Sequence, residues 1–107
     1  MLNIMVNVNY VINKDGSFKE VEIKGHADSS DVEGHDLVCA AVSSITVGAL
    51  NALKEIDNFD ILMENGHIRL RATSKISSHD KIVIETMMIQ LATIEDSYGE
   101  YIRIKNF

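Results

Sequence analysis

The chain of 107 residues has no proline, a single cysteine and only 6% aromatic residues. With no proline present, breaks between elements must be read from glycine, asparagine and changes of hydrophobic period. One cysteine cannot form an internal disulfide, which excludes a disulfide scaffold and gives no sign of an oxidising compartment. No apolar run approaches the roughly 20 residues that cross a bilayer. The N-terminal MLNIMVNVNYVI alternates with asparagine and lacks the basic start of a signal peptide. A cytoplasmic, soluble protein is expected. Basic residues are also scarce, ten Lys+Arg against sixteen Asp+Glu for a net charge of −6. That argues against affinity drawn from nucleic-acid phosphates or an anionic membrane. It suits a basic partner or simple solubility.

What the chain does have is 46% hydrophobic residues, enough for one core. A domain of this length buries roughly two thirds of its unfolded surface, so residues 1–107 are read as a single domain. Leu2, Ile4, Val6, Val8, Tyr10 and Ile12 alternate as on a strand with one apolar face. Asn13-Lys14-Asp15-Gly16 marks a turn, and Val21 and Ile23 oppose Glu20, Glu22 and Lys24 on a second strand. Residues 27–34, ADSSDVEG, carry no period and read as a loop. Val38, Ala41, Val42, Ile45, Ala49, Leu53 and Ile56 then recur at helical spacing. Phe59, Ile61 and Met63, an Asn65-Gly66 turn, and Ile68, Leu70 and Ala72 make a second hairpin with Arg69 and Arg71 outward. Ser77 or Ser78 caps a second helix, whose stripe runs from Val83 to Ile94 and which Gly99 is expected to end in a left-handed cap. Tyr101 to Lys105 form a last strand. The order ββαββαβ predicts an α+β two-layer sandwich: a mainly antiparallel five-stranded sheet with two helices on one face. The fold alone assigns no activity.

Chemistry concentrates in KGHADSSDVEGHDLVCAAVSS, residues 24–44, which hold Cys39, His26 and His35. Asp36 reads as an N-cap, so Cys39 becomes the third helical residue, beside unpaired amides and the positive end of the helix dipole. Such a terminus supplies about 0.3–1 kcal/mol, whereas bringing a thiol from ~8.5 to ~6.5 takes ~2.7 kcal/mol. A nearby imidazolium must supply the difference, and it can also protonate a leaving group. His26 ends a strand and is the preferred base; His35, in the loop, is the lesser candidate. Against this, a cysteine in VCAAV on an apolar helix reads from periodicity as a small core residue. One cysteine and two histidines match no zinc spacing, and no metal site or cofactor is expected. Ser77, Ser78, His79 and Asp80 read as helix-cap chemistry, and no glycine-rich phosphate loop occurs.

The residues GHA at 25–27, followed by G-x-D-x-V-C-A-A-V-S at 34–43, resemble the ribosomal-processing cysteine protease family called Prp. The order of strands and helices is similar to that family across essentially the whole chain. The resemblance implies a catalytic pair, Cys39 as nucleophile and His26 as base. It places Asp36 and Ser43 at the family's other polar motif positions: Asp36 to cap the helix and fix the approach of the pair, Ser43 one turn beyond Cys39 on the same face. Ser43 reads equally as a small polar residue that eases helix packing. Gly25 and Gly34 would hinge the loop between them. The implied substrate is the N-terminal extension of large-subunit ribosomal protein number twenty-seven, cut after a hydrophobic segment ending in an aromatic residue and alanine, before a basic tail. The implied assembly is a homodimer. From charge, Asp28, Asp31 and Glu33 are placed to attract that tail. A non-enzymatic, ribosome-associated binding module is the alternative, and a thiol redox sensor ranks below it for want of a resolving cysteine.

Overall fold

In a computed structural model, residues 5–25 and 33–107 are described, with the side chains of 33–35 excepted. The elements run β1 (Val6–Ile12), β2 (Phe18–Lys24), α1 (Glu33–Ala52), a short 3-10 turn (Ile56–Asn58), β3 (Phe59–Glu64), β4 (His67–Ala72), α2 (Ser78–Tyr98) and β5 (Ile102–Asn106). The expected ββαββαβ order is what forms. Two-residue alternation puts Val6 and Val8, Val21 and Ile23, Ile68 and Leu70 on one face of the sheet, where all are buried. Asn7, Asn9, Glu22, Arg69 and Arg71 take the other face.

Pairing goes beyond what alternation specifies. The sheet order is β3-β4-β2-β1-β5. The β1–β2, β2–β4 and β3–β4 pairs are antiparallel, whereas β1 and β5 run parallel, with Val6 opposite Ile102. The two hairpins thus meet through β2 and β4, and α2 provides the crossover that returns β5 beside β1. Register slips between Val11 and Ile12, so Ile12 faces Phe18 while Val11 faces Glu20. The extra residue, Lys19, is a bulge. It turns Phe18 to the apolar face beside Val21, where its ring meets Tyr10 edge-on with centroids 5.4 Å apart.

Both helices lay their apolar stripes into the same cluster over that face: Val38, Cys39, Val42 and Leu50 from α1, and Ile84, Met87, Met88 and Leu91 from α2. The helices also pack on each other, and Asp80 secures their far ends. Wholly buried, it accepts hydrogen bonds from the amides of Lys54 (2.9 Å) and Glu55 (3.0 Å), just past the end of α1. Ser77 caps α2 by accepting from the Asp80 amide at 3.1 Å. The Glu95 carboxylate accepts from the Ile104 amide at 2.8 Å and so occupies a donor on the outer edge of β5.

Two local expectations are corrected. Helix α1 ends at Ala52, and Ile56 begins the 3-10 turn instead of continuing the stripe. Gly99 is right-handed (φ −59°, ψ −14°), because the chain leaves α2 through a tight turn in which the Tyr101 amide donates to Tyr98 O at 2.8 Å. The expected Asn65-Gly66 hairpin turn forms between Glu64 and His67, with Gly66 at a positive φ of 78°. Residues 1–4 of the first expected strand lie outside the described residues.

Candidate active site

The site lies at one end of the sandwich, where β2 finishes, β1 begins and the β3–β4 turn comes round. Gly25 follows the last residue of β2, and its neighbours there fix it. Its amide donates to Gly66 O at 2.9 Å. Its φ of +93° is one that side chains rarely adopt, and a Cβ on it would stand 3.0 Å from the Met5 carbonyl oxygen. Glycine is required here twice over, for backbone conformation and for space. The Gly25 carbonyl in turn faces α1: Cys39 Sγ–H donates to Gly25 O at 3.6 Å. Fourteen residues apart in sequence, the single thiol and the strand end that leads into His26 are therefore in contact.

Cys39 is 6% exposed and belongs to the hydrophobic cluster. The periodicity reading of a buried helix residue and the motif reading of a site residue hold for one side chain, since the helix turns Cys39 both toward the core and toward the end of β2. Its position along the helix differs from expectation. Helix α1 begins at Glu33, so Asp36 is its fourth residue and not its N-cap, and Cys39 is its seventh and not its third. The reason is that residues 33–35 continue the helix backwards instead of closing the loop. The first-turn amides that lack intrahelical partners are therefore those of residues 33–36, roughly 4.5 Å or more along the axis from Cys39. The Cys39 amide falls inside the i→i−4 ladder, where the dipole effect has faded. Helix-start stabilisation of the thiolate is therefore withdrawn.

Of the other expected residues, Asp36 is exposed on α1 and Ser43 is half-buried one turn past Cys39 on the same face. The Ser43 carbonyl accepts from Thr46 Oγ1 at 3.3 Å. Glu33 and Gly34, the last two residues of the expected loop 27–34, belong to α1, so Gly34 is not a hinge ahead of the helix, and the rest of that expected loop lies outside the described residues. His26, Asp28 and Asp31 lie outside the described residues, as does the side chain of His35. Among the described residues no three His, Cys, Asp or Glu side chains gather to hold a metal ion. Serines 77 and 78 with His79 and Asp80 are indeed cap chemistry: beyond the Ser77 and Asp80 contacts, His79 Nε2 lies 3.0 Å from Ala52 O at the end of α1.

Two features of this end escaped the sequence reading. Gly66 and Met5 hold Gly25 in place, yet they meet it only through the β1–β2 and β2–β4 pairings. On the outer face, His67 Nε2 lies 2.7 Å from Glu22 Oε2, with Lys24 Nζ 4.0 Å from the same oxygen. The alternation of Glu22 and Lys24 signalled that face but not the partner strand.

Comparison with known proteins gives this geometry its context. The family model for cysteine protease Prp matches residues 5–103. The ribosomal processing cysteine protease Prp of Staphylococcus aureus is 32% identical over 104 residues, covering 94% of this chain and 97% of that protein. The protein of the same name from Bacillus subtilis is 29% identical over 98 residues, covering 84% and 87%. A crystal structure of the S. aureus protease with a covalently linked product peptide superposes with a TM-score of 0.82 at 31% identity, covering 96% of this chain and all of that one. The same protease with a substrate peptide gives 0.79 at 29% identity over the same shares. No helix among the described residues is long and apolar enough to cross a membrane. With a family model spanning nearly its whole length and the thiol it requires seated against the end of β2, the chain belongs to the cysteine protease Prp family.

Proposed function

We propose that this protease removes the N-terminal extension of large-subunit ribosomal protein number twenty-seven, using Cys39 as nucleophile and His26 as base. The observation that carries the reading is the contact of Cys39 Sγ with Gly25 O, 3.6 Å, because Gly25 is the residue bonded to His26. That contact brings the thiol to the residue that directly precedes His26 in the chain. The relatives named as ribosomal processing proteases, one of them seen with a substrate peptide, support the substrate class.

In the mechanism, the imidazole of His26 takes the Cys39 proton and the sulfur attacks the carbonyl carbon after the alanine. The C–S bond forms and a tetrahedral oxyanion develops. Collapse breaks the C–N bond as His26 gives its proton to the leaving amine. Water then loses a proton to His26 and attacks the thioester, the C–S bond breaks, and the acid product leaves with the thiol restored. Asp36 and Ser43 support the pair from α1. Asp28, Asp31 and Glu33 draw in the basic tail, and Gly25 lets the chain pass from strand to loop. The whole chain acts as one protease domain, as a homodimer in the cytoplasm, with no cofactor and no direct contact to nucleic acid or membrane.

Mass spectrometry of an extended ribosomal protein incubated with wild type, Cys39→Ala and His26→Ala tests substrate, nucleophile and base together. Wild type releases the extension and both variants leave it attached. Cleavage surviving in Cys39→Ala removes the nucleophile, and an uncut substrate with active wild type on other peptides removes the substrate assignment.

A further inference from the structure

We propose that the cleft between α2 and the β1–β5 side of the sheet is a second hold on the substrate, taking a large apolar side chain with a lysine or arginine on either side of it. This rests on the reading of the substrate as a basic ribosomal protein, and names another place where that protein is gripped.

The cleft measures about 340 Å³. On one side stand Tyr10, Phe18 and Ile104 from the sheet, each only partly buried against the core. On the other, α2 presents Glu85, Met88, Ile89, Ala92 and Glu95, the spacing of a single helix face. Ile89 is 60% exposed, so part of this apolar wall faces solvent.

The charges at the two ends of the stripe select the guest. Ten residues of helix separate Glu85 from Glu95, roughly 15 Å along the axis. Glu85 is exposed, and its carboxylate has no hydrogen bond or ion pair among the described residues. Glu95 gives one oxygen to the Ile104 amide at 2.8 Å, and a carboxylate has room for further donors. An apolar cleft with a carboxylate at each end suits the order cation, apolar, cation. In an extended peptide, residues four apart are separated by roughly 13 Å, so two lysines flanking a central apolar residue reach both glutamates. An acidic guest would be repelled at both ends. Because the Ile104 amide is already bonded to Glu95, it is not open to an added strand there, and recognition falls to side chains.

The cleft is placed to hold the substrate, not to cut it. Tyr10 lies four residues along β1 from Val6, roughly 13 Å of strand from the end of the sheet where Cys39 stands. A peptide that stops two residues after the cut spans only roughly 7 Å and falls short of it.

Met88 lines the cleft and is one of five methionines, so methyl-labelled methionine gives an NMR probe inside it, assigned with Met88→Leu. The blocked pentapeptide Lys-Ala-Leu-Ala-Lys should shift the Met88 methyl saturably, whereas Glu-Ala-Leu-Ala-Glu and Lys-Ala-Gly-Ala-Lys should not. Two substitutions at exposed positions, Glu85→Lys to reverse a charge and Ala92→Trp to fill the cleft, should each weaken that shift. Each should also raise the ratio of KM for the full-length extended ribosomal protein to KM for a peptide ending two residues after the cut. The expected rise is roughly three- to tenfold, the size of one exposed ion pair or one partly buried apolar side chain. A Met88 methyl that ignores Lys-Ala-Leu-Ala-Lys, or answers the acidic peptide equally, overturns the proposal. So does an unchanged KM ratio. A methyl that moves with protein concentration in place of peptide makes the cleft a contact between copies of this chain, and overturns it too. If wild type leaves the ribosomal protein uncut, the substrate reading falls instead, and the methyl titration still decides the cleft.

Discussion

At the scale of single residues, the turn between β1 and β2 shows how little structure a charge needs to be tuned. Asp15 accepts a hydrogen bond from the Ser17 amide at 2.9 Å and one from the Ser17 hydroxyl. Those bonds, the side-chain one first, hold its carboxyl below the ordinary value of 3.8, with Lys81 adding a smaller pull. A folded-state value below the unfolded one stabilises the protein above the unfolded value, and that contribution is lost as pH falls through the folded value. Asp15→Asn is therefore expected to lower the urea midpoint slightly at neutral pH, and the difference is expected to shrink as acidification protonates the folded-state carboxyl. A midpoint difference that grew on acidification would contradict the assignment. Gly25 is the opposite case, a residue whose lack of a side chain matters. Gly25→Ala combines left-handed φ with the 3.0 Å approach to Met5 O. It should cost about 1–2 kcal/mol of stability, read from urea unfolding.

Among the elements, α1 and α2 are joined at their far ends by one carboxylate rather than by apolar packing alone. Asp80 is wholly buried and serves two amides on the α1–β3 connection. Asp80→Ala leaves those donors without their acceptor and should destabilise by roughly 2–4 kcal/mol, more than the ~1 kcal/mol expected of the cap substitution Ser77→Ala. Hydrogen exchange at the Lys54 and Glu55 amides should speed up in the Asp80 variant and much less in the Ser77 variant. Equal exchange in both would mean that Asp80 is not their acceptor in solution. The helix ends also explain where sequence reading succeeded and failed. Cap chemistry at Ser77 was legible because side chain and amide are three residues apart. The start of α1 was misplaced because Asp36 is a good cap in isolation, and three preceding residues continue the helix without an apolar stripe to announce them.

Taken as a whole, the molecule is an acidic protease proposed to act on a basic tail. Asp28→Asn, Asp31→Asn and Glu33→Gln together should raise KM for a peptide with that tail, strongly at low salt and little at physiological ionic strength, where charges farther apart than about 8 Å are screened. A KM that stays constant across salt, in wild type and variant alike, removes the steering role. The core that carries this surface is shared by sheet and both helices, with Leu91 fully buried at its centre. Leu91→Ala should cost about 2–5 kcal/mol in urea unfolding.

The amino-acid order alone determined the succession of strands and helices, because a period of two or of three to four is a local property that each segment displays by itself. It also determined the family, through a short motif joining a glycine-histidine strand end to a cysteine-bearing helix. The tertiary structure alone decided that β5 lies parallel to β1, that β2 and β4 bring the hairpins together, and that a bulge at Lys19 turns Phe18 inward. It alone set the Cys39 thiol against the Gly25 carbonyl between Met5 and Gly66. Those contacts span from 14 to more than 40 residues of chain. Which backbone amide meets which carbonyl across such distances is settled by the packing of the whole core, and no segment carries that choice within itself.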